Sequence, residues 1–150
     1  MHTKTSLRGL IIQAKQGYYS DDFDRMTTFI DKAWAAALES GCDTTCAETA
    51  HCASDLFKRS GQLERALEMA FLAVKYKRET GQVNEVWAAY NAFLAKLLGE
   101  MDRASEGIDY AVEAVKASIS NLGKDHYETR IKLGLLYTLD AQVEQEKSQK

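Results

Sequence analysis

The chain of 150 residues contains no proline, only three cysteines, and no apolar run approaching the length of a membrane span. Each absence excludes something. Without proline, the strongest helix breaker is missing and helices must be stopped by other means. Three cysteines cannot close into a complete intramolecular disulfide framework, which fits a reducing compartment. A formal net charge of −3 lacks the basic excess typical of nucleic-acid-binding domains. Near the N-terminus, Lys4 and Arg8 accompany an apolar stretch, Leu10-Ile11-Ile12, too short for the core of a secretion signal. The expectation is a cytoplasmic protein that engages neither nucleic acid nor membrane.

What the chain does have is regularly placed glycine. Gly17, Gly41, Gly61, Gly81, Gly99 and Gly123 recur at nearly even intervals, each long enough for a helix of four to five turns. Glycine is the usual helix stop because positive φ costs it little, so each interval predicts one helix. Between Gly61 and Gly81, Leu63, Ala66, Leu67, Ala70, Ala73 and Val74 recur at steps of three and four. Met69, Leu72 and Tyr76 form a second apolar line, as in a helix with two neighbours. Similar stripes run from Asp21 to Ser40, over residues 44–60, from Val83 to Leu98 and from Asp102 to Ser120. Thr45-Cys-Ala-Glu48 and Asp125-His-Tyr-Glu128 have the capping-box pattern. With a short helix near residues 4–16, this predicts seven helices and an all-α protein.

The intervals also repeat in detail. Met26-x3-Ile30-x2-Ala33, Ala66-x3-Ala70-x2-Ala73 and Ala104-x3-Ile108-x2-Ala111 follow one another at every second glycine interval. A period of about 40 that holds two helices is the mark of an α-solenoid. These residues resemble the tetratricopeptide repeat (TPR) family, whose second helix carries the Ala-x3-aromatic-x2-Ala spacing. Its first-helix signature Leu-Gly-x2-Tyr appears as Leu133-Gly134-x2-Tyr137, and its aromatic followed by a turn glycine as Phe57-x3-Gly61. The family's tryptophan slot falls on Arg130 or on alanines, its terminal proline is absent, and the repeats exceed the usual length of about 34 residues. They look like the longer repeats of bacterial regulatory proteins. The resemblance implies an α-α superhelix of about three antiparallel hairpins and a C-terminal helix in one domain. The hairpins would span residues 4–40, 43–80 and 83–121, the first with about four extra residues (Tyr18 to Asp21) in its turn, and the last helix 125–147.

The resemblance further implies a protein-interaction scaffold or adaptor, such as the regulatory part of a signalling protein, with a partner peptide or helix in a concave groove. By register the groove residues would be His51, Asp55, Lys58 and Arg59, then Tyr90, Phe93, Lys96 and Leu97, and finally Lys132 and Leu135. Aromatics interleaved with cations suit a ligand with apolar anchors and acidic groups. One branch of the family clamps C-terminal carboxylates with a lysine and an asparagine. Those slots hold His51 and Asp55, and an aspartate would repel a carboxylate. A peptide or small-ligand sensor and a self-assembling structural module are the alternatives.

The residues themselves show no phosphate-cradling glycine loop and no catalytic constellation, so neither an enzyme nor a cofactor is expected. Cys42-x3-Cys46-x5-Cys52 beside His51 is the one metal-like cluster. It lacks the paired C-x2-C knuckles of structural zinc sites and reads as small residues at a helix contact. In the last helix Ile131, Leu133, Leu135, Leu136, Tyr137 and Leu139 place apolar groups nearly all the way round, and the Gln-Glu-Lys tail supplies no following helix. A symmetric homodimer through this helix is expected, with Ile131, Leu135 and Leu139 at the interface; a downstream domain could cover the same face.

Overall fold

A computed structural model describes residues 5–149. Among the described residues seven helices follow one another: α1 (Leu7–Tyr19), α2 (Phe23–Ser40), α3 (Asp43–Arg59), α4 (Leu63–Glu79), α5 (Glu85–Glu100), α6 (Ala104–Leu122) and α7 (Tyr127–Ser148). No strand occurs among the described residues. Residue 4, where the first helix was expected to begin, lies outside them. The chain divides into two compact units, one ending at Tyr76 and one starting at Lys77.

Both units use the same turn. After α1, α3 and α5, the N–H groups of Asp21, Gly61 and Asp102 donate to the carbonyls of Tyr18, Lys58 and Gly99 at 3.1, 3.1 and 3.2 Å. The next N–H groups, of Asp22, Gln62 and Arg103, donate to Gly17, Phe57 and Leu98 at 2.8 Å each. This paired pattern is the Schellman motif, which satisfies the last free carbonyls of a helix by placing one residue in the left-handed region. That residue has φ of 56°, 81° and 60° at Asp21, Gly61 and Asp102. Aspartate visits this region more readily than most side chains do. Gly17 and Gly99 are therefore not helix stops, contrary to expectation; both lie inside helices, and the stops fall at the aspartates that follow. Nor does the first turn hold extra residues, since Tyr18 and Tyr19 belong to α1.

The left-handed positions 21, 61 and 102 recur at nearly equal intervals, and they correct the repeat register. Counted from Gly61 and Asp102, Ala66, Ala70 and Ala73 correspond to Gly107, Ala111 and Ala114, not to Ala104, Ile108 and Ala111. Local geometry agrees. The Ser54 hydroxyl donates to the Ala66 carbonyl at 2.6 Å. At the corresponding place in the second unit Ala95 lies against Gly107, where an added Cβ would come within 2.9 Å of the Ala95 carbonyl oxygen. The α3–α4 and α5–α6 hairpins are thus each closed by a contact between small residues that lets two backbones approach.

Around these crossings the cores form. In the first unit Met26, Ile30, Ala50, Phe57 and Ala70 are buried; in the second, Leu94, Leu97, Leu98, Ala111 and Leu139. Helix ends are capped locally. Asp22 Oδ1 accepts from the Arg25 N–H, and Asn84 Oδ1 from the Trp87 N–H, both at 3.1 Å. The two expected capping boxes do not form. Helix α3 starts at Asp43, ahead of Thr45, with Cys42 in the cap position and no capping bond from its side chain. At α7, His126 Nδ1 accepts from the Glu128 N–H at 3.1 Å. The Thr129 hydroxyl meanwhile holds the Gly123 carbonyl at 2.8 Å, fixing the chain's entry one residue later than Asp125 would.

The glycines therefore predict opposite responses. Gly107→Ala forces a methyl group onto the Ala95 backbone and should destabilise by about 1–3 kcal/mol. Gly134→Ala, on an exposed stretch of α7 with no heavy atom within 4 Å of the new Cβ, should stabilise by about 0.5–1 kcal/mol. Denaturant midpoints in dilute solution check both; equal effects would contradict the register.

Candidate partner-binding cleft

In the second unit α5 and α7 lie side by side and leave between them an open cleft of about 460 Å³. Helix α5 contributes Ala92, Phe93, Lys96, Gly99 and Glu100. Helix α7 contributes Ile131, Lys132, Leu135, Thr138, Leu139 and Gln142. Steps of three and four place each set on one helix face. Two small residues, Ala92 and Gly99, make the room. A Cβ on Gly99 would lie 2.5 Å from Leu139 Cδ2, so its absence lets Leu139 sink beneath the cleft. The walls are apolar, formed by Phe93, Ile131 and Leu135, while Lys96 and Glu100 are exposed at the mouth.

Lys132 is not a free groove cation. It is 5% exposed, with Nζ 3.3 Å from Glu85 Oε2 and 3.4 Å from Glu128 Oε2. The other Glu85 oxygen accepts from the Ser118 hydroxyl at 2.9 Å. One buried ammonium thereby ties α5, α6 and α7 together at the wall of the cleft.

Of the expected groove residues, Phe93, Lys96, Lys132 and Leu135 meet in this cleft. Tyr90 and Leu97, at 8% and 0% exposure, are core instead, because α5 is buried on nearly every side. Leu139 is also core. It packs on Ala95, Ala104 and Ala111 at 1% exposure, so it cannot belong to a dimer surface; Ile131, at 60%, remains outside. The expectation missed Ala92, Gly99 and Glu100. The signal lay in the register: carrying His51, Asp55, Lys58 and Arg59 forward by the offset from Gly61 to Asp102 gives Ala92, Lys96, Gly99 and Glu100.

In the first unit, Arg59 Nε binds Asp55 Oδ2 at 2.9 Å, which holds the guanidinium on its own helix and raises its already high pKa. His51 is half-buried. Burial holds its imidazole below the usual range, and the Asp55 carboxylate offsets part of that. A separate open cleft of about 440 Å³ lies between α1 and α3, with Ile11, Ile12, Lys15, Glu48 and Cys52 among its walls. The cysteines behave individually. The Cys46 thiol donates to the Ala37 carbonyl at 3.2 Å in the core, and burial pushes its pKa up. Cys42 is exposed, and the Thr45 hydroxyl lowers its pKa. Among the described residues no group of three or more histidine, cysteine, aspartate or glutamate side chains is placed to hold a metal ion. No helix among the described residues is long and apolar enough to cross a membrane.

No protein-family model matches the chain, and no curated protein does. Solved structures do. BtubC (BKLC) from P. vanneervenii superposes with a TM-score of 0.75 at 20% identity over 88% of this chain. The chain spans 54% of the length of BtubC. A Podosopora anserina protein described as a putative kinesin light chain, with nearly identical TPR-like repeats, gives 0.74 at 15% identity, covering 97% of this chain and 72% of its own. The fold is accordingly an all-α helical repeat of the TPR type.

Two substitutions check the electrostatics. Lys132→Met leaves Glu85 and Glu128 without their counter-charge and should cost about 1–3 kcal/mol, less than a fully buried pair because both carboxylates keep some contact with water. Lys96→Met should leave stability within about 0.5 kcal/mol. The lowered pKa of His51 means the unfolded chain takes up the proton first as pH falls. Its contribution is complete above about pH 7 and is lost as pH drops through the unfolded value near 6.5. Between about pH 7.5 and pH 5.5 the thermal midpoint of His51→Gln should therefore fall less than that of the wild type; parallel curves would contradict the assignment.

Proposed function

We propose that the chain is a non-catalytic protein-interaction module and that the α5–α7 cleft receives a segment of its partner. The supporting observation is the cleft's chemistry: apolar walls of Phe93, Ile131 and Leu135 beneath a mouth carrying Lys96 and Glu100. Such a site takes a helix or extended strand through one or two large apolar side chains. An acidic group on the segment would meet Lys96, while Glu100 disfavours a second acid beside it. A reducing, cytoplasmic setting and a place in a signalling protein fit the three free cysteines and the interaction role. A small-ligand sensor is a second reading, favoured by a cleft volume within the common ligand range of about 300–1,000 Å³. Self-association through α7 is a further one, favoured by the exposure of Ile131 and Tyr137.

Peptide display against the immobilised protein distinguishes the first two. The proposal expects selected peptides to share a large apolar residue with an adjacent acid, and Lys96→Glu to weaken them about five- to tenfold. Selection of no peptide, or of peptides indifferent to both Lys96→Glu and Phe93→Ala, would contradict it.

A further inference from the structure

The outward face of α7 carries a seam. Tyr127, Ile131, Gly134, Thr138, Ala141 and Gln145 follow one another at alternating steps of four and three, and every one of them is exposed. Tyr127 and Ile131 keep 64% and 60% of their surface. Alternating steps of this kind have the spacing of the a and d positions of a two-helix coiled coil, with Tyr127, Ile131 and Ala141 as the apolar members. The core residue Leu139 lies on another face of the same helix, while Ile131 and Thr138 also border the α5–α7 cleft, so the seam is exposed in the folded chain and shares that edge with the cleft.

The residues beside the seam decide what covers it. Arg130 stands two helical turns before Tyr137, and Glu144 two turns after it, along one edge. All three are exposed. When such a helix packs antiparallel on a copy of itself about a two-fold axis, like edges meet and positions pair in reverse order. Tyr137 then faces Tyr137 of the second copy, and Arg130 faces Glu144 at both ends. Within the seam, Ile131 sits over Ala141 and Gly134 over Thr138, pairing larger with smaller residues so that the backbones can approach. A parallel pairing would set Arg130 against Arg130 and Glu144 against Glu144. Within α7 the Glu144 carboxylate pairs with Lys147, at 3.4 Å on an exposed surface, and it can exchange that contact for Arg130. We infer that α7 forms a symmetric antiparallel dimer with a second copy of this chain, held by the Arg130–Glu144 pairs on either side of Tyr137. The inference rests on the self-association reading and specifies its geometry. A single helix pair lies at the small end of specific interfaces, so a weak, reversible dimer is expected.

Sedimentation equilibrium of the intact chain tests it. The wild type should dimerise by high micromolar concentration. Arg130→Glu and Glu144→Arg, each alone, should raise the dissociation constant about tenfold. The double variant R130E/E144R should return it to near the wild-type value, since antiparallel pairing restores both contacts. A chain monomeric throughout overturns the inference together with self-association. A dimer indifferent to the single changes, or weakened further by the double change, overturns the antiparallel seam but leaves self-association by another surface.

Discussion

Two antiparallel helices can share a core only as deep as the approach of their backbones allows, and that approach is set by the side chains at the crossing. Here the crossings are built from the smallest residues available. Ser54 meets Ala66, and Ala95 meets Gly107, in each case with a backbone carbonyl in the contact. A larger side chain on either helix would push the pair apart and open voids around Phe57 in one unit and Leu94 in the other, both fully or nearly buried. The Schellman turns matter for the same reason. They bring the second helix back at a fixed angle and phase, so Ala66 and Gly107 come into register at the same distance from the left-handed Gly61 and Asp102.

The cleft follows from this packing. Gly99 lies in the last turn of α5, just ahead of the left-handed Asp102, and its missing side chain draws Leu139 inward. Leu139 in turn rests on Ala95, Ala104 and Ala111, the residues of the small crossing. What remains above Leu139 is a hollow bounded by Phe93 and Leu135, with Lys132 tethered below the surface by Glu85 and Glu128. The same features that close the hairpin thus shape the cleft, and the Lys132 ion pairs join α7 to α5 along its wall. The charged side chains exposed at the mouth of the hollow are Lys96 and Glu100.

Much of this was legible in the sequence. The glycine intervals and stripes of apolar residues specify seven helices, and a repeat that spans two intervals specifies paired ones. The sequence was ambiguous where one residue type serves two ends. Gly41 and Gly61 end helices through positive φ, whereas Gly17 and Gly99 are buried inside them to admit a neighbouring chain. Spacing alone cannot separate these uses, and two stops are made by aspartates that glycine counting passes over. The error in register followed, since Ala104, Ala111, Ala114 and Ala117 recur along α6 at steps of seven and three, and both Ala104 and Gly107 lie on its buried side. It carried into the expected groove: Tyr90 and Leu97 are buried, while Ala92 and Glu100 line the cleft. Lys132 reads in sequence like any groove cation, because nothing near it along the chain reveals Glu85, 47 residues away.

The central claim is that the α5–α7 cleft is where a partner binds. Amide hydrogen exchange with and without a peptide selected by display measures this directly. The account predicts added protection in α5 from Ala92 to Glu100 and in α7 from Ile131 to Gln142, with α1 and α3 unchanged. Protection confined to α1 and α3, around Ile11, Lys15, Glu48 and Cys52, would place recognition in the other unit and contradict it.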